Sequence, residues 1–174
     1  MEICGNFKSM KTSAYLGVIV VLGLFFFAGL TAKAEGPKPP TFELVSLSGD
    51  RFTQDDLRGK VTLLVFWASW CGVCKHELPK IHALQQSLAG KPFQVLAIGF
   101  KDSEDNIRRF AKMHPDTFSF PVYFDRGDRV ASKFGATVTP TLFLFDKNGE
   151  LAVPYRGGGL LEHPQFQQLL TDLL

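Results

Sequence analysis

The sequence predicts an α/β domain in which buried strands alternate with amphipathic helices around one sheet. Three observations point there. Val61 to Phe66 is apolar at every position but Thr62, a near-continuous run that suits a strand covered on both faces of a sheet. In the segment after it, Leu78, Ile81, Leu84 and Leu88 recur at helical spacing. A second apolar run, Phe93 to Phe100, then starts the alternation again. The chain has 174 residues, 45% of them apolar, which suits one domain with an appendage.

The appendage comes first. Lys8 and Lys11 precede an uncharged run, Ala14 to Leu30, and Ala32-Lys33-Ala34 follows with small residues at the spacing of a cleavage site. Residues 1–34 therefore read as an export signal cut before Glu35, or as a retained membrane anchor. Either reading places the domain outside the cytoplasm, in the periplasm or on the outer face of the membrane. Residues 35–40, with Gly36-Pro37-Lys38-Pro39-Pro40, form a short stiff spacer before a domain at 41–174.

Within that domain, Thr41–Val45 and Arg51–Thr53 predict a β-hairpin, and Thr53 is placed to cap a helical turn at Gln54–Leu57. The strand Val61–Phe66 leads into a helix from Cys71 to about Leu88, which Pro79 is expected to kink. Phe93–Phe100 is a strand. Ser103 is a candidate cap for a helix over Glu104–Met113, with Ile107, Phe110 and Ala111 inward. A strand at Phe120–Phe124 and a short helix at Arg129–Phe134 follow. Leu142–Phe145 and Leu151–Tyr155 are strands joined by the Asn-Gly turn at Asp146–Glu150. A helix from about His163, with Phe166, Leu169, Leu170 and Leu173 inward, ends the fold.

The chemistry-bearing stretch is Trp70-Cys71-Gly72-Val73-Cys74-Lys75, where strand meets helix. A helix N-terminus offers unpaired N–H groups and the positive end of the dipole, which favour a thiolate. A first cysteine so placed can have its pKa lowered to between ~3.5 and ~7.5, and the second, one turn on, is near enough to close a disulfide. Zinc would need two more ligands, and His76, His82, His114 and His163 show no paired spacing. Haem attachment requires histidine directly after the second cysteine, where Lys75 stands. A structural cross-link over so short a loop gains little, since stabilisation grows with loop length. A redox pair is the reading these residues favour.

The motif resembles the active site of the thioredoxin superfamily. Phe42-Glu43-Leu44, Leu57-Arg58-Gly59-Lys60, Phe66-Trp67-Ala68-Ser69-Trp70-Cys71 and Cys74-Lys75-His76-Glu77-Leu78-Pro79 resemble its TlpA/ResA-like branch of extracytoplasmic thiol–disulfide oxidoreductases. The resemblance runs from about Pro40 to the C-terminus. It implies a thioredoxin-like fold, a central mixed β-sheet flanked by helices with an N-terminal β-hairpin. It implies catalysis by Cys71 and Cys74 through a Cys71–Cys74 disulfide, Cys71 exposed and Cys74 more buried. Thr139 and Pro140 match the residue that pairs with bound substrate and the cis proline against the disulfide. Trp70, Gly72 and Val73 would contact substrate, Trp70 covering the disulfide. Gly157-Gly158-Gly159 is either the segment that lets substrate approach or a flexible loop before the last helix.

Two positions qualify that picture. Cytosolic thioredoxins hold a buried aspartate on the strand before the motif, and the matching residue here is Val65. Glu77, three residues after Cys74 and so on a neighbouring helix position, matches an acid of the TlpA/ResA-like branch and is the candidate for tuning the thiols or relaying a proton. A solvated helix glutamate is the plainer reading.

The implied activity is reduction of disulfides in exported proteins, apocytochrome c among them, with electrons from a membrane or periplasmic thiol donor. No cofactor or metal is called for, and a monomer is expected. An oxidase or isomerase is disfavoured by the short link from Pro79 to Phe93, which leaves no room for a helical insertion. A peroxiredoxin-like peroxidase would need a Thr-x-x-Cys environment, whereas Trp67 stands four residues before Cys71. A redox-inert binding module is the alternative of another class, and the intact cysteine pair argues against it. Without residues 1–34 the chain holds sixteen basic and sixteen acidic side chains and two cysteines, so it offers no electrostatic footprint for nucleic acid.

Overall fold

In the computed structural model, which describes residues 36–174, the chain opens on a hairpin. β1 (Glu43–Val45) runs antiparallel to β2 (Arg51–Thr53), with Leu44 opposite Phe52. Thr53 does begin the next turn, a short 3-10 segment at Gln54–Leu57, where its backbone N–H and its hydroxyl both donate to Asp56 Oδ2. The expected signal or anchor at 1–34 lies outside the described residues.

β3 (Val61–Trp67) is buried at all seven positions, one residue longer than the apolar run suggested. It leads to α1 (Gly72–Ser87), β4 (Phe93–Gly99) and α2 (Glu104–Met113). Ser103 Oγ accepts from Asn106 N–H, the cap its position predicted. β5 (Val122–Phe124) and α3 (Arg129–Phe134) follow. β6 (Thr141–Phe145), β7 (Leu151–Arg156) and α4 (Pro164–Leu173) complete the order. α1 continues through Pro79, which lies on the exposed side of the helix.

Five strands form one mixed sheet in the order β5-β4-β3-β6-β7. β3 and β5 run parallel to β4, β6 runs antiparallel to β3, and β7 antiparallel to β6. Successive side chains of a strand point to opposite faces, so β3 feeds two cores. Val61, Leu63, Val65 and Trp67 join the cluster holding Cys71, Cys74, Leu78, Ile81, Ile107, Phe110, Phe166 and Leu170. Leu64 and Phe66 join the other, with Phe42, Leu44, Phe52, Val130, Phe143 and Phe145. Gly99, at the end of β4, must be glycine, because a Cβ there would lie 2.6 Å from Ile107 Cγ1.

Both outer strands of the sheet meet other chain segments. Ser46 bridges to Tyr123 of β5, and Leu47 N–H donates to Val122 O. Along β7, Leu151 N–H donates to Pro37 O, and Gly36 N–H donates to Glu150 Oε2. Pro154 within β7 has no N–H to offer.

Candidate active site

β3 delivers the chain from the middle of the sheet to Cys71, which caps α1. Cys71 and Cys74 are joined as a disulfide with Cα atoms 5.3 Å apart, within the usual range. Cys71 Sγ accepts a hydrogen bond from Cys74 N–H at 3.1 Å. One of the orphan donors of the helix start therefore points at the sulfur that would become the attacking thiolate.

Cys71 is 6% exposed and Cys74 1%. Their order is the expected one, but Cys71 is buried where exposure was expected. Its sulfur turns back toward the first turn of α1 and packs in the apolar cluster with Val65 and Leu78. The exposed groups are its neighbours, Trp70 and Val73. The Trp70 indole N–H donates to Lys101 O at 2.9 Å, tying the ring to the loop after β4. Trp67 packs against Phe110 and Phe118 in the core that holds the cysteines.

The Thr139–Pro140 bond is cis and Pro140 is buried, with Thr139 half-buried. Pro140 O accepts from Gly157 N–H at 2.8 Å. The glycine segment in turn lies on α1. A Cβ on Gly158 would come within 2.8 Å of Val73 Cγ1 and 3.2 Å of two Glu77 carbons. Gly159 N–H donates to Glu77 Oε2 at 3.0 Å. Close approach to Val73 and Glu77 therefore requires glycine at 158, and the segment is a packed wall held by Tyr155, whose hydroxyl donates to Gly158 O.

Glu77 is buried at 4% exposure, against the solvated glutamate of the plainer reading. Its other oxygen accepts from Lys80 Nζ at 3.0 Å, and Lys80 also pairs with Glu162. Those bonds, the one to Glu162 foremost, hold the Lys80 ammonium above its ordinary pKa. Val65 lies in the same cluster as Cys71 and Cys74 and carries no charge. Lys75 Nζ lies 5.7 Å from the centre of the Phe110 ring.

Sequence reasoning passed over Asp102. Its Oδ2 accepts from the Ser69 N–H and hydroxyl, and its Oδ1 from Ser103 N–H and the Asn106 side chain. Burial works to raise this carboxyl, but the four hydrogen bonds outweigh it and hold the group below the ordinary aspartate range. It thereby anchors the turn that presents Trp70 and Cys71. An aspartate beside a helix cap is the sequence signal, though its partner lies 33 residues away.

Residues 36–153 match the AhpC/TSA family. The thiol–disulfide oxidoreductase ResA of Geobacillus thermodenitrificans is 34% identical over 146 residues, covering 82% of this chain and 83% of its own. The thioredoxin-like protein YneN of Bacillus subtilis is 35% identical, covering 66% of this chain and 67% of its own. Among solved structures, one from Chlorobium tepidum assigned as a thiol:disulfide interchange protein DsbE superposes with a TM-score of 0.72 at 29% identity. It covers 80% of this chain and 96% of its own. The chain belongs to the AhpC/TSA family, and within it to the thiol–disulfide oxidoreductases of the ResA and DsbE type.

Proposed function

We propose that this oxidoreductase works outside the cytoplasm as a reductant of disulfides in exported proteins. Cys71 thiolate attacks one sulfur of the substrate disulfide. A Cys71–substrate bond forms and the first substrate thiol leaves. Cys74 thiolate then attacks Cys71 Sγ, which forms the Cys71–Cys74 bond and expels the second substrate thiol. Two electrons pass from dithiol to substrate, and an external thiol donor restores the pair. Trp70, Gly72, Val73, Thr139 and Pro140 would contact the substrate, as the family resemblance implies. Thr139 is the residue whose backbone would pair with an extended substrate.

The observation that carries the direction of electron flow is buried Glu77. Strong disulfide oxidants owe their potential to a stabilised reduced form. A carboxylate held by Lys80 and Gly159, one turn from Cys74, works against a stabilised thiolate and so against an oxidant. The link between α1 and β4 spans residues 88–92 and holds no inserted helix, which also suits a reductant. Apocytochrome c is the substrate that the family resemblance suggests first. Extracytoplasmic work fits the signal-like residues 1–34 and the exposed lipoprotein thioredoxin Etrx1 of Streptococcus pneumoniae, 27% identical with a TM-score of 0.63.

Equilibration of the purified protein against dithiothreitol or glutathione tests the direction. A reduction potential near or below ~−270 mV supports the reductant, and one near ~−120 mV makes the protein a disulfide donor. Peroxide reduction lacks its Thr-x-x-Cys context, since the threonine's position, three residues before Cys71, holds Ala68, next to Trp67.

A further inference from the structure

Among the described residues, two non-glycine residues have left-handed backbone, Lys101 at φ 51° and Asp128 at φ 55°. They are bonded to each other, Lys101 N–H donating to Asp128 Oδ1 at 2.8 Å. Such backbone is uncommon outside glycine and is kept only where surrounding contacts over-determine it. Glycine would satisfy the backbone of position 101 with less strain. What lysine adds is an ammonium group.

The contacts of Lys101 reach two separate segments, one next to Cys71 in sequence and one near Pro140. Its carbonyl accepts from Trp70 Nε1 at 2.9 Å, and its Nζ donates to Thr137 O at 2.5 Å. Trp70 directly precedes Cys71, and Thr137 lies three residues before cis Pro140. These two segments are separated by 67 residues in sequence, and Lys101 holds one with its backbone and the other with its side chain. The neighbouring Asp102 anchors Ser69 on the same side. Trp70 and Val138 are both exposed apolar groups, so the pieces that Lys101 joins are the ones offered to a partner.

We propose that Lys101 is the positioning residue of the substrate groove, setting the spacing between the Trp70 wall and the Val138-Thr139 wall on either side of the disulfide. It acts through those walls and not on the sulfur atoms. The inference rests on the reading of Trp70 and Thr139 as substrate contacts and adds the residue that holds them in register. Pre-set walls let a substrate dock without first ordering either segment.

The test is dithiothreitol-driven reduction of insulin by the full chain, with KM and kcat separated for the wild type, Lys101→Met, Lys101→Arg and Trp70→Ala. Lys101→Met keeps the stem and the Trp70 contact but loses the Thr137 hydrogen bond. Its KM for insulin is expected to rise about fivefold, the scale of one lost hydrogen bond, while the Cys71–Cys74 reduction potential stays at the wild-type value. Lys101→Arg, which keeps a donor, is expected to recover most of the affinity. An unchanged KM in Lys101→Met, alongside a raised KM in Trp70→Ala, would overturn the proposal and leave the groove reading standing. An unchanged KM in both would overturn the groove reading and the proposal with it. A fall in kcat and thermal midpoint with KM constant would make Lys101 a packing residue and also overturn it.

Discussion

Once the Cys71–Cys74 bond is reduced, two thiols stand at the start of α1 with the Glu77 carboxyl one turn beyond Cys74. Negative charge there opposes the ionisation of either thiol, and Lys80 moderates it through the 3.0 Å pair. Glu77→Gln removes the charge and keeps the Gly159 hydrogen bond. The thiol pKa values are therefore expected to fall, that of Cys74 most, as read from alkylation rate against pH. Identical profiles in the two proteins would remove Glu77 from the chemistry. Asp102 makes a different prediction. Its carboxyl is depressed below the ordinary value in the folded chain. The stability it supplies is thus present above about pH 4 and is lost as pH falls through the folded pKa. Asp102→Asn is expected to flatten that acid limb, measured by thermal unfolding at pH 3 to 6, and a limb as steep as the wild type's would refute the assignment. Neither residue's setting was legible from its own neighbourhood in the sequence. Glu77 was singled out by motif, but its burial depends on Gly158 and Gly159, 81 and 82 residues on. Asp102 has the composition of a solvated loop residue until Ser69 is brought to it.

At the scale of elements, the catalytic helix, the cis-proline loop and the glycine segment are linked in sequence Pro140–Gly157 and Gly159–Glu77. Gly158 sits where the segment presses on α1. Alanine there would place a Cβ 2.8 Å from Val73 Cγ1, so the segment must lift or Val73 must turn. Gly158→Ala is expected to cost about 1–3 kcal/mol, as overpacking does, and to loosen the Gly159–Glu77 bond. Denaturant titration measures the first and amide exchange at Gly159 the second, and wild-type values for both would show that the contact yields freely. The helix itself was plain in the sequence because Leu78, Ile81, Leu84 and Leu88 repeat at its period. The choice between a substrate-approach segment and a flexible loop for Gly157-Gly158-Gly159 was not, since glycine-rich sequence looks the same whether its backbone is packed or free.

Among the described residues of the whole molecule, the buried apolar side chains are divided between two cores across one sheet. The cysteines belong to the core of α1, while Leu64 faces the other. Leu64→Ala is expected to cost about 2–5 kcal/mol by denaturant unfolding, without moving the Cys71–Cys74 reduction potential. A shift in potential would show that the two faces are coupled through β3. The elements on either side of β3 were readable from apolar runs and periodicity. The strand order was not, because β6 returns to pair with β3 from some 80 residues away, and only the family resemblance supplied the mixed sheet. The sheet's margins carry a further consequence. A reductant of exported proteins, as proposed here, meets chains that have not finished folding and that expose unpaired strands. An open sheet margin would invite such chains to add on as an extra strand. Here Ser46 and Leu47 occupy part of one margin, while Pro37 and Pro154 interrupt the other. Capture by strand addition is thereby discouraged at both sides, so a client is left to engage at the disulfide and can depart once its sulfurs are reduced.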